Sequence, residues 1–259
     1  MGTPKKSSAT LTVVGESAST GFDPRIHGFH FLNSFTGRIL IDIPLIGTRD
    51  LGPTSYGLCG GMSYAALDNF IYGGQIPSDR SPPVSDTPLR SYIYGRQHDS
   101  LVSDDAWLVR RFIEWVAYPD TTSLGITGLD VRSHREFLYN IQPQLAAGHP
   151  VTLGLVKARP EDVLSLEDNA LVKNHQVLAI GYELHHDPVN GTHWDIRIYD
   201  PNFPDRIERM HTHSNVPGYQ TDDTGTQQTA SFRGFFASPY SPKQPFWVSG
   251  GLAARGESE

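Results

Sequence analysis

The only cysteine of this chain is the residue best suited to covalent chemistry. Cys59 lies in the segment Tyr56-Gly57-Leu58-Cys59-Gly60-Gly61-Met62, and a helical hydrophobic pattern begins at or just after it. A thiol attacks carbonyl groups as thiolate, which a helix N-terminus or a neighbouring imidazole favours. We expect the flanking glycines to leave space for a substrate and the exposed backbone N–H groups to stabilise an oxyanion. The alternative is a buried cysteine used as a small apolar residue, but two glycines directly after it are unusual packing for a core helix.

A histidine and an aspartate downstream are expected to meet. His175 opens the predicted strand 176–183, and Asp200 closes the predicted strand 194–199. The segment 187–192 contains Pro and Asn-Gly, which predicts a turn between the strands. In such a hairpin the two residues lie roughly opposite each other, where neighbouring strands are about 5 Å apart. A carboxylate at that distance holds the imidazole tautomer and stabilises the imidazolium, whereas the alternative is a surface histidine and a turn aspartate.

The composition narrows the class of protein. The chain has 259 residues, of which 38% are apolar and 19% charged, so it resembles a globular protein and not a disordered one. Its formal net charge of -7 disfavours a nucleic-acid partner. One cysteine excludes an intramolecular disulfide and a cysteine-based zinc knuckle.

No apolar stretch has the length that spans a bilayer, and the first residues lack the apolar core of a signal peptide. We therefore expect no membrane partner, and a protein that is cytoplasmic or exported without a classical signal.

Hydrophobic periodicity predicts three helices. The first runs from Cys59 to Tyr72, with Met62, Ala65, Ala66 and Phe70 toward the core. The second is expected from about 104 to 116, and the third from a capping box at Ser133 and Glu136 to Gly148.

After about residue 150 the hydrophobic pattern changes from the period of a helix to that of a strand. Strands are predicted at 151–156, 176–183, 194–199 and 246–248. A helix-rich N-terminal half packed on an antiparallel sheet from the C-terminal half is an α+β architecture. We expect mobile polar tails at 1–20 and 253–259 around a single catalytic domain at 21–252, with the Pro/Ser-rich stretch 76–88 as a surface loop.

The order of these motifs resembles that of papain-like cysteine peptidases. The matching residues are Cys59 in Leu-Cys-Gly-Gly-Met, His175 in Asn-His-Gln-Val-Leu and Asp200 in Tyr-Asp-Pro-Asn. The similarity covers residues 51–202 and is greatest to the bacterial branch, including peptidases that process leader peptides. It implies a papain-like fold, with Cys59 as nucleophile, His175 as base and Asp200 as the orienting acid.

The sequence departs from this family six residues before the nucleophile. Papain-like enzymes usually have an oxyanion-hole glutamine there, and this chain has Pro53. Ser55, Tyr56 and Gln97 are candidate replacements, and Asn202 is a reserve orienting residue.

The other histidines give weaker patterns. His27 and His30 alternate with aromatic residues and are expected to be structural. His211 and His213 share a strand face and, with Asp222, would suit zinc, but nothing in the spacing enforces such a site. We expect no metal and no cofactor.

These patterns favour a cysteine hydrolase of peptide or other amide bonds, with a peptide or protein as substrate. Three alternatives use the same cleft. They are a silent papain-like domain that binds a partner, a toxin or effector, and a transglutaminase-like acyltransferase. The sequence does not give the oligomeric state.

Overall fold

The central strand of the protein is covered on both faces. In the computed structural model, β5 (His175–Asp187) turns Leu178 and Ile180 toward one apolar cluster and Val177 and Ala179 toward another. This double burial explains the nearly continuous apolar run that follows His175. The structure describes residues 16–36, 40–43, 47–50, 56–164, 173–187, 191–211, 218–223 and 226–248.

The described residues form a mixed α+β fold around a curled antiparallel sheet. The strands of its main path are, in spatial order, β10 (Gly234–Ala237), β4 (Val151–Val156), β5, β6 (Gly191–Tyr199), β7 (Glu208–His211), β8 (Tyr219–Asp223) and β9 (Thr226–Phe232). A separate pair is formed by β2 (Leu40–Ile43) and β3 (Gly47–Asp50). The coarse α+β prediction is therefore confirmed.

The helices are α1 (Pro24–His27), α2 (Cys59–Ile71), α3 (Pro88–Ala117), α4 (Leu129–Glu136), α5 (Gln142–Ala146) and α6 (Pro160–Leu164). None of the helices in the described part of the chain combines the length and the apolar character that crossing a bilayer requires.

Helix α2 matches its prediction closely. It begins at Cys59, all four predicted core residues are buried, and Gly73 beyond its end has a positive φ of 66°. The helix packs between β5 and α3, which places its first residue beside the first residue of β5.

The second helix is much longer than predicted. Helix α3 begins at Pro88, after the N-cap Thr87, so it contains Gln97 and the polar run 96–100, which lie before the predicted start at about residue 104. Arg96, Gln97 and Ser100 are buried because they face α2. Polar residues on the packed face interrupt the apolar period, which hid the first half of the helix.

The third helix is also different from its prediction. Its N-cap is Gly128, and Ser133 is buried inside α4, where its hydroxyl accepts the N–H of Phe235 at 2.9 Å. A π-helical turn, Phe137–Ile141, separates α4 from α5, whose second residue is Pro143. Proline has no N–H to continue the α-helical ladder.

Two further predictions need correction. Ser17–Ser19, within the stretch predicted to be a mobile tail, forms strand β1 and pairs with residues 181–183 of β5. Residues 246–248, predicted to be a strand, form a turn that packs on α3. The tail 253–259 lies outside the described residues.

Candidate active site

Cys59 lies at the first residue of α2 and is partly exposed. The two glycines after it are buried, so they do not provide the room for a substrate that was predicted. A Cβ atom on Gly60 would lie 2.6 Å from the side-chain amide of Gln176, and one on Gly61 would collide with the carbonyl oxygen of Ile93. The glycines instead let β5 and α3 approach the start of α2 closely, which fixes the backbone of the thiol.

His175 lies between the thiol and a buried carboxylate. Its Nε2 is 2.8 Å from Oδ1 of Asp200, whose side chain is only 3% exposed. The Cys59 side chain is close enough to the His175 ring to act on its charge. Because Asp200 occupies Nε2, the nitrogen left for the thiol is Nδ1. The ring of Phe232 stacks on the imidazole at 6.3 Å and 15°.

The charge of this histidine is strongly stabilised. Burial disfavours the imidazolium, but the negative charges of Asp200 and of the Cys59 thiolate, with hydrogen bonds to both, outweigh burial. The pKa of His175 therefore lies well above its usual value of 6.5. A positively charged imidazole beside the sulfur is the partner that a cysteine nucleophile requires.

The hairpin register differs by two residues from the predicted one. Leu178 pairs with Tyr199, and a bulge follows between Ala179 and Gly181, so His175 and Asp200 are diagonal neighbours. Their side chains still meet, because diagonal partners on one face lie within reach of an imidazole.

The turn after β6 holds the acid in place. The backbone N–H of Asn202 donates to Oδ1 of Asp200 at 2.8 Å, and the N–H of Phe203 donates to the Asp200 carbonyl at 2.9 Å. Nδ2 of Asn202 lies 3.2 Å from Nε2 of His175. Asn202 is thus beside the ring, but Asp200 makes the shorter contact, and an amide N–H cannot accept the Nε2 proton that the carboxylate accepts.

The candidate replacements for the oxyanion-hole glutamine have other partners or lie outside the described residues. Oε1 of Gln97 accepts the N–H of Gly61 at 2.9 Å, which caps the first turn of α2. Tyr56 is buried and its hydroxyl group accepts from the Arg90 guanidinium. Ser55 lies outside the described residues, as does Pro53.

Backbone donors remain at the start of α2. Its N-cap, Leu58, provides no side-chain cap. Among the residues that the structure describes, none accepts a hydrogen bond from the N–H of Cys59 or Gly60. Such N–H groups at a helix N-terminus can donate to an oxyanion on a carbon bonded to the sulfur.

Sequence reasoning missed one residue of this site. Oδ1 of Asn33 accepts the N–H of Leu58 at 2.6 Å, and its Nδ2 donates to Oδ1 of Asn202 at 3.1 Å. Asn33 is 26 positions before the cysteine, in a stretch without a periodic pattern, so no local signal marks it.

The remaining histidines lie apart from this group. Nδ1 of His27 accepts the N–H of Asp23, and its ring packs against Phe70, which agrees with a structural role. His30 pairs with Asp205 at 2.5 Å. His211 is on β7 and Asp222 on β8, while His213 lies outside the described residues. In the described ranges, no three His, Cys, Asp or Glu residues are arranged to hold a metal ion.

We compared the chain with protein-family models, curated proteins and solved structures, and none of them matched.

Proposed function

We propose that this protein is a papain-like cysteine hydrolase of peptide or other amide bonds. Cys59 is the nucleophile, His175 the general base and acid, and Asp200 the residue that orients the imidazole. The observation that supports the proposal most strongly is a partly exposed thiol at a helix N-terminus, beside an imidazole whose Nε2 contacts a buried carboxylate.

The first half of the reaction transfers an acyl group to sulfur. His175 takes the thiol proton at Nδ1, and the thiolate attacks the carbonyl carbon of the substrate. A C–S bond forms, and the carbonyl electrons move to oxygen, where the N–H groups of Cys59 and Gly60 stabilise the negative charge. When the intermediate collapses, the C–N bond breaks and His175 returns its proton to the leaving amine.

The second half releases the acid. His175 takes a proton from water, the hydroxide oxygen attacks the thioester carbon, and the C–S bond breaks. His175 then carries the proton beside a regenerated thiolate. Asp200 keeps Nε2 protonated throughout, so Nδ1 stays directed at the sulfur and at the incoming water.

A panel of labelled electrophiles tests the nucleophile. Vinyl sulfones, chloromethyl ketones and peptide aldehydes are incubated with wild type, Cys59→Ala and the matched fold control Ser63→Ala, and intact mass is measured. Ser63 is a suitable control because it is buried on the same helix, one turn from the cysteine. We expect one adduct on wild type and on Ser63→Ala, and none on Cys59→Ala. A wild type that forms no adduct with any of these reagents would overturn the proposal.

Turnover distinguishes hydrolysis from the other uses of the cleft. A peptide library is incubated with wild type and Cys59→Ala, with and without a labelled primary amine. We expect new peptide termini with wild type only, and a loss of at least about 10³-fold in Cys59→Ala. Amine incorporation without hydrolysis would indicate acyl transfer, and partner binding that is equal in both proteins without turnover would indicate a silent domain. Either result contradicts the proposal.

A further inference from the structure

Asn33 touches both halves of the candidate site. It lies in the segment between α1 and β2, and its side-chain amide bonds to Leu58, next to the nucleophile, and to Asn202, next to the base. Its backbone N–H also donates to the carbonyl oxygen of Pro201 at 3.1 Å. One residue therefore connects the start of α2 with the turn that contains Asp200.

Gly57 lies directly against this amide. A Cβ atom on Gly57 would lie 2.8 Å from Nδ2 of Asn33, so a larger residue there would displace the Asn33 side chain. Because Leu58 has no side-chain cap, the bond from its N–H to Asn33 is an external support for the turn that presents the thiol.

We propose that Asn33 is a positioning residue that holds Cys59 and His175 at the separation their ion pair requires. This inference rests on the proposed function. The contact between Cys59 and His175 depends on how the start of α2 is placed relative to the start of β5 and to the turn after β6, which contacts His175 through Asp200. The path Leu58–Asn33–Asn202 is a direct connection between them through side-chain hydrogen bonds. A small displacement of reacting groups is known to reduce rates about 10²-fold.

The same segment is fixed to the same turn by a second set of contacts. Nδ1 of His30 lies 2.5 Å from Oδ1 of Asp205, and Oδ2 of that carboxylate lies 2.8 Å from Nη1 of Arg80. Removing the Asn33 amide therefore leaves the segment attached, and we expect Asn33→Ala to fold.

The experiment measures Cys59 alkylation by iodoacetamide at pH 6 and, separately, kcat and KM. Iodoacetamide needs the thiolate but no oxyanion donor, so its rate reports the ion pair alone. For Asn33→Ala we expect alkylation and kcat to fall together by about 10- to 100-fold, with KM nearly unchanged. Asn33→Asp keeps an acceptor for Leu58 and loses the donor to Asn202, so we expect a fall in between. Asn140→Ala, an exposed asparagine in the π-helical turn, is the matched control and should behave as wild type.

A double-mutant cycle locates the effect. If Asn33 acts through Asn202, Asn33→Ala with Asn202→Ala reacts no more slowly than the slower single variant. Additive losses in the double variant would contradict the connection through Asn202. Wild-type alkylation of Asn33→Ala combined with lost turnover would also contradict it, because Asn33 would then contact the substrate. A wild type that alkylates as slowly as a free thiol contradicts the proposed function itself, whereas a reactive wild type with an equally reactive Asn33→Ala contradicts this inference alone.

Discussion

Helix α2 has a group of charged residues near each end, and the two groups differ in what they leave accessible. At the start, Asp200 and His175 support a thiol that is partly exposed. In the last two turns, Asp68 is fully buried and pairs with Arg96, whose side chain is only 4% exposed.

The Asp68 cluster uses every lone pair of its carboxylate. Oδ1 accepts from the Tyr240 hydroxyl at 2.6 Å and from the N–H of Lys243 at 2.8 Å, and Oδ2 accepts from the Tyr92 hydroxyl at 2.9 Å. Arg96 also bonds to Asp99 at 2.7 Å and to the carbonyl oxygen of Ser241 at 2.8 Å. These contacts attach the segment 238–248 to α2 and α3, and the Asp68 carboxylate at their centre is fully buried.

The two acids near the ends of α2, Asp200 and Asp68, differ in what they support. A buried carboxylate that accepts several hydrogen bonds and pairs with a buried guanidinium fixes the packing of its neighbours. A buried acid that supports an imidazole beside an accessible thiol has the arrangement of a reactive site. We therefore expect substitutions at Asp68 to change stability and substitutions at Asp200 to change reactivity.

Removing the buried acid of the Asp68 cluster should have the largest effect. In Asp68→Ala the guanidinium of Arg96 loses its main partner inside the protein, and we expect the free energy of unfolding to fall by about 3–5 kcal/mol. Urea denaturation measures this, with the exposed loop residue Asp79 as control, whose change to alanine should cost less than about 0.5 kcal/mol. Equal stability of Asp68→Ala and wild type would contradict the structural role.

Removing the charge of the acid behind His175 should reduce the rate instead. Asp200→Asn keeps the size of the side chain but removes the charge that stabilises the imidazolium, and we expect kcat/KM to fall by about 10²- to 10⁴-fold. Asp68→Asn is the matched control, and the folded protein should keep its Cys59 alkylation rate. If Asp200→Asn and Asp68→Asn lose stability and reactivity to the same degree, the two acids do not have the different roles given to them here.

Asp200 could be assigned to the candidate site from the sequence, whereas the pairing of Asp68 with Arg96 could not be predicted. The order Cys59, His175, Asp200 and the turn between the last two predicted the site, because each lies at an element end that local signals mark. Asp68 and Arg96 lie inside helices and meet only after folding, so no spacing connects them. Asn33 was missed because it lies in an irregular segment that no local pattern connects with Cys59.

None of the strands β7 to β10 was predicted: β10 reads Gly-Phe-Phe-Ala and is apolar but only four residues long, and β8 and β9 are polar. Strand β8 reads Tyr-Gln-Thr-Asp-Asp and β9 reads Thr-Gln-Gln-Thr-Ala-Ser-Phe, and neither shows a sustained apolar alternation. Pairing with neighbours in the sheet stabilises such strands more than their own residue preferences do. The buried strands β4 and β5, in contrast, were readable from their apolar runs.

Removing one hydroxyl group is a smaller perturbation of the Asp68 cluster than removing the acid. Burial and the charge of Asp68 raise the pKa of Tyr240 far above its usual value, so the phenol remains a neutral donor. Tyr240→Phe removes this bond to a charged acceptor, and we expect a loss of about 1.5–3 kcal/mol in the free energy of unfolding with no change in kcat. Tyr139→Phe, at a residue that is 74% exposed, should change neither quantity and provides the control. A fall in kcat for Tyr240→Phe alone would mean that the two ends of α2 are coupled.

The alkaline limb of the activity profile should follow His175. Raising the pH through the elevated pKa of His175 removes the proton that the leaving amine needs, so kcat/KM should fall at a pH well above 6.5, by up to about tenfold per pH unit. Alkylation of Cys59 needs only the thiolate and should not fall over the same range. A parallel decline of both rates would indicate unfolding and not loss of the acid.

The pH dependence of Cys59 alkylation tests the thiolate–imidazolium pair most directly. Iodoacetamide rates are measured from pH 5.5 to 9 for wild type, His175→Gln and a free cysteine peptide. The rate of the free thiol drops about 100-fold between pH 8 and pH 6, because its pKa is about 8.5. We predict that wild type loses less than about threefold over that interval and that His175→Gln follows the free thiol. A wild-type profile that coincides with the free thiol, or one that His175→Gln leaves unchanged, would contradict the account.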